Sequence, residues 1–357
     1  MKIAFIIPSL SNLGPVIVVN ELVRGLQQVP EVSQTDVYYL DDREDTDKLH
    51  FPCFTKKIGL FEKIDLSGYD VIHSHGIRPD MFLMMQKLRN KKLPVVSTMH
   101  CYIYPELAQT YSKTRAAIAT PLWLMMLRPF NKVVFLAEAM MKHYAPFFSK
   151  SQIAFVHNYR DKEQINRGTL TDLEKEEVIK FKNGHTLIGT ICKLTKRKGV
   201  YQLIELLTVE PEYKLIVVGD GIEQKNLEAL AQKRGVANRC LFTGFKNNAA
   251  AYLSFMDIFC LGSNSEGFGL VLLEAALFEK SIVCTDLPSF RELFSENEAA
   301  FFQYGNIASL QKAVRNALEN NKEHAHAAYL RTLTDYNKEK FIQGYLKVYQ
   351  DLISQNK

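Results

Sequence analysis

The amino-acid sequence predicts an α/β fold of two Rossmann-like domains in series, and three observations carry the prediction. Short apolar strands alternate with amphipathic helices, the pattern of a parallel sheet covered on both faces. The alternation breaks at a polar stretch over 158–177, the expected hinge, and then restarts. At 357 residues the chain is too long for one ordinary core and suits two domains of roughly 150 residues.

In the first half, strands are expected at 2–7, 35–40, 71–73, 95–99, 132–136 and 153–156, where runs of Val, Ile, Leu, Phe and Tyr are short and bounded. Helical periodicity appears between them at 16–27 and 80–89. In the second half, strands are expected at 187–192, 213–218, 240–243, 258–261 and 281–284. Helices follow at 201–207, 222–234, 247–255, 269–277 and 307–320. Such paired domains would leave a cleft lined by strand C-termini and helix N-termini, where open α/β sheets bind ligands.

Hydrophobic residues at 47% and charged residues at 23% are those of a globular protein. No run of 18 apolar residues occurs, and the N-terminus enters a strand without a basic flank or cleavage site, so a cytoplasmic location is expected. The six cysteines are scattered singly without metal-ligand spacing and are expected as buried thiols in a reducing compartment. The net charge of +5 lies wholly in the residues up to Arg160, the remainder being balanced. Lys113, Arg115, Arg128 and Lys132 flank a segment, 116–127, that holds Trp123, Leu124 and two methionines. This suits either a peripheral contact with an anionic membrane face or a core helix with a solvated side. The basic residues are not interleaved with aromatics at stacking spacing, which argues against nucleic acid.

The most informative stretch is Ser263-Asn-Ser-Glu266-Gly-Phe-Gly269-Leu-Val-Leu-Leu-Glu274. A helix starting near Gly269 would offer the amides of Leu270 and Val271 to an anion. Glu274, about one turn on, can accept hydrogen bonds from vicinal hydroxyls such as those of a ribose, and Glu266 can do so for a sugar ring. Together they fit a sugar nucleotide. Gly14 follows the first strand, just ahead of a helix, where backbone can approach phosphate closely. His73 and His75 end one strand and His100 another. Lys193 and Lys198 follow the strand at 187–192 and could neutralise a leaving diphosphate without a metal. Gly219-Asp-Gly221 and Gly244-Phe245-Lys246 follow two further strands; the third glycine of a dinucleotide fingerprint is missing, Gln224 standing there, so no NAD site is expected.

On the segments 70–76, 95–100, 198–199, 215–221, 242–245, 256–259 and above all 266–274, the chain resembles the retaining glycosyltransferases of family 4, the group 1 enzymes of GT-B architecture, over essentially its whole length. The resemblance implies an N-terminal acceptor domain (1–160), a C-terminal nucleotide-sugar domain (161–335) and a last helix (336–357) crossing back to the first. It implies Glu266 on hydroxyls of the transferred sugar, Glu274 on the ribose, and the backbone of Gly267, Phe268, Gly269, Leu270 and Val271 along sugar and diphosphate. It further implies Gly14, Gly221, Phe245 and Lys246 around the donor, with His100, Glu266, Lys193 and Lys198 at the reaction centre. The chain departs from the family in having Lys193 for an arginine and Pro15 for a second glycine, losing a bidentate fork and an amide donor.

The expected activity is metal-independent transfer of a hexosyl or N-acetylhexosaminyl group, UDP being the family's commonest carrier, to a glycan or lipid-linked acceptor in bacterial surface polysaccharide or lipopolysaccharide biosynthesis. No carboxylate announces itself as a nucleophile and no Asp-x-Asp stands at a strand end, so front-side attack with charge stabilisation by Lys193, Lys198 and a helix N-terminus is expected. Two other functions stay open: a nucleotide-sugar epimerase on a similar scaffold, and a catalytically silent nucleotide-sugar binder. Each histidine and lysine also has a plain reading, as a satisfied strand-end histidine or a solvated turn.

Overall fold

The computed structural model describes residues 1–42, 48–165 and 168–355. They form two compact units, Met1–Asn158 with Lys338–Lys357, and Tyr159–Asn337.

The first unit opens with β1 (Lys2–Ser9), α1 (Gly14–Leu26), β2 (Gln34–Asp41), β3 (Phe54–Lys57), β4 (Val71–His75), α2 (Ile77–Arg89) and β5 (Val95–Met99). It continues through α3 (Ile103–Thr110), α4 (Lys113–Leu127), β6 (Lys132–Phe135), α5 (Glu138–Tyr144) and β7 (Ile153–Phe155). Its sheet has the order β3-β2-β1-β4-β5-β6-β7, every pairing parallel. Inner strands of such a sheet are covered on both faces, so β4, β5 and β6 are continuous buried runs. The edge strand β3 is the exception: all four residues, Phe-Thr-Lys-Lys, are exposed. It was not expected from the sequence, because a charged edge strand carries no buried face to pattern it.

The second unit begins with the short α6 (Lys162–Ile165) and α7 (Asp172–Lys182). Helix α7 begins within the polar stretch 158–177 expected as the hinge, of which 166–167 lie outside the described residues. Its capping box is complete: the Thr171 side chain accepts from the Glu174 amide while the Glu174 carboxylate accepts from the Thr171 amide. Then follow β8 (Thr186–Ile191), α8 (Tyr201–Val209), β9 (Tyr213–Val218), α9 (Gln224–Lys233), β10 (Cys240–Gly244), β11 (Ile258–Leu261), α10 (Leu270–Leu277), β12 (Ser281–Thr285), α11 (Pro288–Leu293) and β13 (Ala300–Phe302). The helix expected at 247–255 is a 3-10 helix over Ala249–Phe255. Two amphipathic helices, α12 (Ile307–Glu319) and α13 (Asn321–Asp335), complete the unit. The sheet is again parallel, in the order β10-β9-β8-β11-β12-β13.

The chain ends in α14 (Lys338–Gln355), which belongs to the first unit. It packs on α1 where Gly25 leaves room for Ile342: a Cβ at Gly25 would stand 2.1 Å from the Ile342 side chain. Tyr345 and Tyr349 are fully buried.

The segment 116–127 falls in α4 and divides its faces. Trp123 is buried and donates to Asp80, whose carboxyl also accepts from Ser74 and Ser97 at 2.6 and 2.7 Å. Burial pushes that carboxyl up to about 6, against the pull of the three donors. Trp123 is thus a core residue and not part of any exposed apolar surface, while Ile118, Leu122 and Met125 on the other side are 59–61% exposed. Among the described residues no helix is long and apolar enough to cross a membrane. Only Cys260 and Cys284 are buried; the other four free cysteines are half-buried, which corrects the expectation of six buried thiols.

Candidate active site

In the second unit the chain runs from β8 outward through β9 and β10, then returns to β11 on the other side of β8 and continues through β12 and β13. The point of reversal lies between β8 and β11, where loops leaving the two carboxyl ends diverge and make room for a ligand. Two segments meet there, 192–200 after β8 and 262–269 after β11. Their backbones touch, since a Cβ on Gly199, at φ +61°, would stand 2.1 Å from the Gly262 carbonyl oxygen. The Asn264 amide donates to the Arg197 carbonyl at 2.8 Å, and Gln202 Nε2 donates to the carbonyls of Gly199 and Gly262.

This contact brings Lys198 onto Glu266. Glu266 Oε1 accepts from Lys198 Nζ at 2.5 Å and Ser263 Oγ at 2.9 Å, with Arg197 Nη1 at 3.1 Å. The three side chains of the ion cluster are only 12–16% exposed. Burial by itself would raise the Glu266 carboxyl, but Lys198 and then Arg197 outweigh it and hold the group below the usual carboxylate range. Among the described residues nothing donates to Oε2. The hydrogen bonds and ion pairs of this carboxylate thus all fall on Oε1.

The chain then turns through Gly267 and the buried Phe268 to Gly269, whose φ of +98° places it in the left-handed region and directs Leu270 and Val271 into the first turn of α10. Helix geometry leaves those first amides without intrahelical partners. Glu274, on the same helix, accepts from Arg160 Nε at 2.7 Å, in a pair 12% and 16% exposed.

The remaining sequence-predicted residues of this unit lie outside the Lys198–Glu266 cluster. Lys193 is exposed, with no ion pair to a described residue. Gly221, at φ +154°, packs against the turn after β8, where a Cβ would stand 2.3 Å from the Leu194 carbonyl oxygen. Phe245 is 61% exposed. Lys246 is held by Glu174 at 2.7 Å, and that hydrogen bond depresses the Glu174 carboxyl to about 2.

In the first unit the reversal lies between β1 and β4. Gly14 follows β1 with open space about its Cα, and Pro15 occupies the first turn of α1. His73 and His75 lie within β4 and are buried. His73 bonds the Tyr349 hydroxyl through Nδ1 at 2.7 Å and Thr98 Oγ1 through Nε2 at 2.8 Å, and Thr98 reaches the Tyr345 hydroxyl at 3.1 Å. His100, half-buried after β5, bonds His75: Nδ1 of His75 is 2.8 Å from Nε2 of His100. Burial depresses all three imidazoles, His100 to about 3 and the other two well below their ordinary value, so they are neutral at physiological pH.

Two residues that sequence reasoning did not assign to the site are Arg197 and Arg160. Arg197 belongs to the Lys-Arg-Lys turn for which a solvated reading stayed open; it donates to the Ser265 carbonyl at 2.7 Å and ties that turn to the Glu266 segment. No local signal marks Arg160, because its partner is 114 residues away. Among the described residues no cluster of three or more His, Cys, Asp or Glu is arranged to hold a metal ion.

Comparison with known proteins bears on the family and the fold. The sequence pattern of the group 1 glycosyl transferases matches residues 172–331, and that of glycosyltransferase family 4 matches 42–164. The O-antigen biosynthesis glycosyltransferase WclY of Escherichia coli is 29% identical over 99% of both chains. A Campylobacter jejuni N-acetylgalactosaminyltransferase acting on a diphospho-undecaprenol-linked sugar is 29% identical over 49% of this chain and 46% of its own. Among solved structures, Anabaena HepE in complex with UDP and glucose superposes with a TM-score of 0.78 at 18% identity, over 98% of this chain and 99% of that one. Two parallel-sheet Rossmann-like halves of GT-B type, with sequence patterns of the family in both, identify the chain as a member of the group 1, family 4 glycosyltransferases.

Proposed function

We propose that the protein is a retaining, metal-independent transferase that moves a sugar from a UDP-linked donor to a glycan or lipid-linked acceptor in the assembly of a bacterial surface polysaccharide or lipopolysaccharide. The observation that carries the reading is the Glu266 carboxylate, ionised by Lys198 and Arg197 at the sheet's point of reversal with its hydrogen bonds and ion pairs all on one oxygen. O-antigen and lipid-linked assembly are what the named relatives do, and UDP is what HepE was solved with.

In this reading Glu266 Oε2 accepts from hydroxyls of the transferred sugar. Lys198 turns toward the diphosphate together with the exposed Lys193, and the Leu270 and Val271 amides hold a phosphate oxygen. Glu274, steadied by Arg160, accepts from the ribose, and His100 contacts the transferred sugar. Gly14, Gly221, Phe245 and Lys246 border the donor. The acceptor hydroxyl attacks the anomeric carbon from the face the nucleotide leaves; the carbon–oxygen bond to phosphate breaks, and the leaving phosphate takes the proton. The exposed Ile118, Leu122 and Met125 of α4, beside Lys113 and Arg115, would rest on an anionic inner membrane face.

Calorimetric titration with UDP, GDP and ADP in excess chelator tests the donor site. UDP alone is expected to bind, and Glu274→Ala to weaken it about tenfold or more, the loss of two charge-assisted hydrogen bonds. Strict dependence on a divalent ion would overturn the metal-free mechanism. The anomeric configuration of the product, read by NMR, tests retention.

A further inference from the structure

Three imidazoles crowd the first unit, and their proton positions can be worked out. His73 is served on both nitrogens by hydroxyls, which rotate to suit either tautomer. His75 and His100 share one hydrogen bond, His75 Nδ1 to His100 Nε2 at 2.8 Å, so one of the two must donate and the other accept. The two assignments differ at the far nitrogens. His75 Nε2 is buried and has no hydrogen-bond partner, packed among the rings of His73 and Phe5, whose centroids lie 4.2 and 6.2 Å from its own. His100 as a residue is half-buried, and its Nδ1 is not among the buried atoms without a partner.

If His100 donated, His75 would carry its proton on Nε2, a buried N–H with no acceptor. If His75 donates, the unpartnered atom is a bare acceptor nitrogen. Orphaned buried N–H groups are the rarer and costlier of the two. Protonating both rings is opposed by burial and by their mutual proximity.

We propose that His75 is a positioning residue that donates its Nδ1–H to His100 Nε2, holding His100 as the Nδ1–H tautomer so that it offers the substrate a hydrogen-bond donor and no base. The inference rests on the contact of His100 with the transferred sugar proposed above and adds its direction. A donor at that point suits a sugar hydroxyl oxygen or a developing negative charge, and removes His100 as the group that takes the acceptor's proton. That proton is then left to the departing phosphate. His73 extends the arrangement, since its bonds to Tyr349 and Thr98 set the ring against which His75 packs.

The test uses the full chain with nitrogen-15 in the histidine rings. Long-range proton–nitrogen correlation spectra, assigned with His75→Asn and His100→Ala, are expected to show His100 protonated on Nδ1 and bare on Nε2. A His100 Nε2–H would overturn the proposal whatever the activity. In transfer assays His75→Asn, whose amide N–H lies near the place of Nδ1–H, is expected to retain most of kcat. His75→Leu is expected to lose about tenfold to a hundredfold in kcat with the donor KM little changed, the effect of a misoriented group. Equal losses in the Asn and Leu variants, or a loss confined to KM, would also overturn it. Full activity in His100→Ala alongside the Nδ1–H tautomer would instead remove His100 from the reaction while leaving the proton assignment standing, so the two failures are distinguishable.

Discussion

Replacing Lys198 by Met removes one cation from the Glu266 cluster while keeping the length and apolar stem of the side chain. Breaking a buried ion pair by deleting one partner costs about 3–5 kcal/mol where nothing else serves the remaining charge. Here Arg197, at 3.1 Å, and Ser263, at 2.9 Å, stay on the same oxygen, so the loss should be nearer about 2 kcal/mol. With a urea slope of roughly 2 kcal/mol per molar for a unit of this size, the midpoint of the second unit should fall by about 1 M. Hydrogen exchange of peptides covering β8 and β11 reads that unit alone. The pH dependence supplies the sharper check. The Glu266 carboxyl is held below its ordinary value in the folded state, so its stabilising contribution is present above the unfolded carboxylate pKa and is lost as pH falls through the folded one. The gap between wild type and Lys198→Met should therefore be full at pH 7 and shrink below about pH 4. An unmoved midpoint at pH 7, or the same loss at both ends of the range, would refute the argument that Lys198 stabilises the ionised Glu266.

Four further outcomes are expected. The Asp80 carboxyl is raised to about 6, so stability present below the unfolded pKa is lost as pH rises through that value; the fluorescence of Trp123, the sole tryptophan, should titrate there and cease to do so in Asp80→Asn. Asp80→Asn should also be more stable than wild type at pH 8 by about 1 kcal/mol in chemical denaturation, with the amide oxygen keeping the Trp123 donor and the amide NH2 donating to Ser74 and Ser97, whose hydroxyls turn to accept. Gly221→Ala should destabilise the second unit by about 2 kcal/mol or more in thermal unfolding, because the new Cβ would strike the Leu194 carbonyl from a backbone angle that alanine rarely adopts. Arg160→Met should weaken UDP binding in calorimetry less than Glu274→Ala does, since it removes the support and keeps the ligand group.

The parts of this structure that the sequence made legible are those decided by burial. Val95–Met99, Tyr213–Val218 and Ile258–Leu261 stand where apolar runs are bounded by turn residues, since a strand covered on both faces has no choice of composition. The Phe54–Lys57 edge and the three-residue Ala300–Phe302 strand left no such imprint. Helix α7 was readable after all in Thr171-Asp-Leu-Glu174, a capping box overshadowed by the polarity around it. At the site, Glu266, Gly269 and Glu274 were visible because one short segment holds them. Arg160, Arg197 and the Glu174 partner of Lys246 were not, because each is chosen by a neighbour brought close only by folding.

The helix Lys338–Gln355 has a consequence for the order of events during synthesis. The residues it completes, His73 and Thr98, leave the ribosome early, while their partners Tyr349 and Tyr345 follow 276 and 247 residues later. At roughly 5–20 residues per second, the first unit waits some tens of seconds with those groups and the Ile342-facing side of α1 uncovered. The second unit, Tyr159–Asn337, is continuous in the chain and can finish folding first. A chain laid out in this way can complete its middle before its beginning.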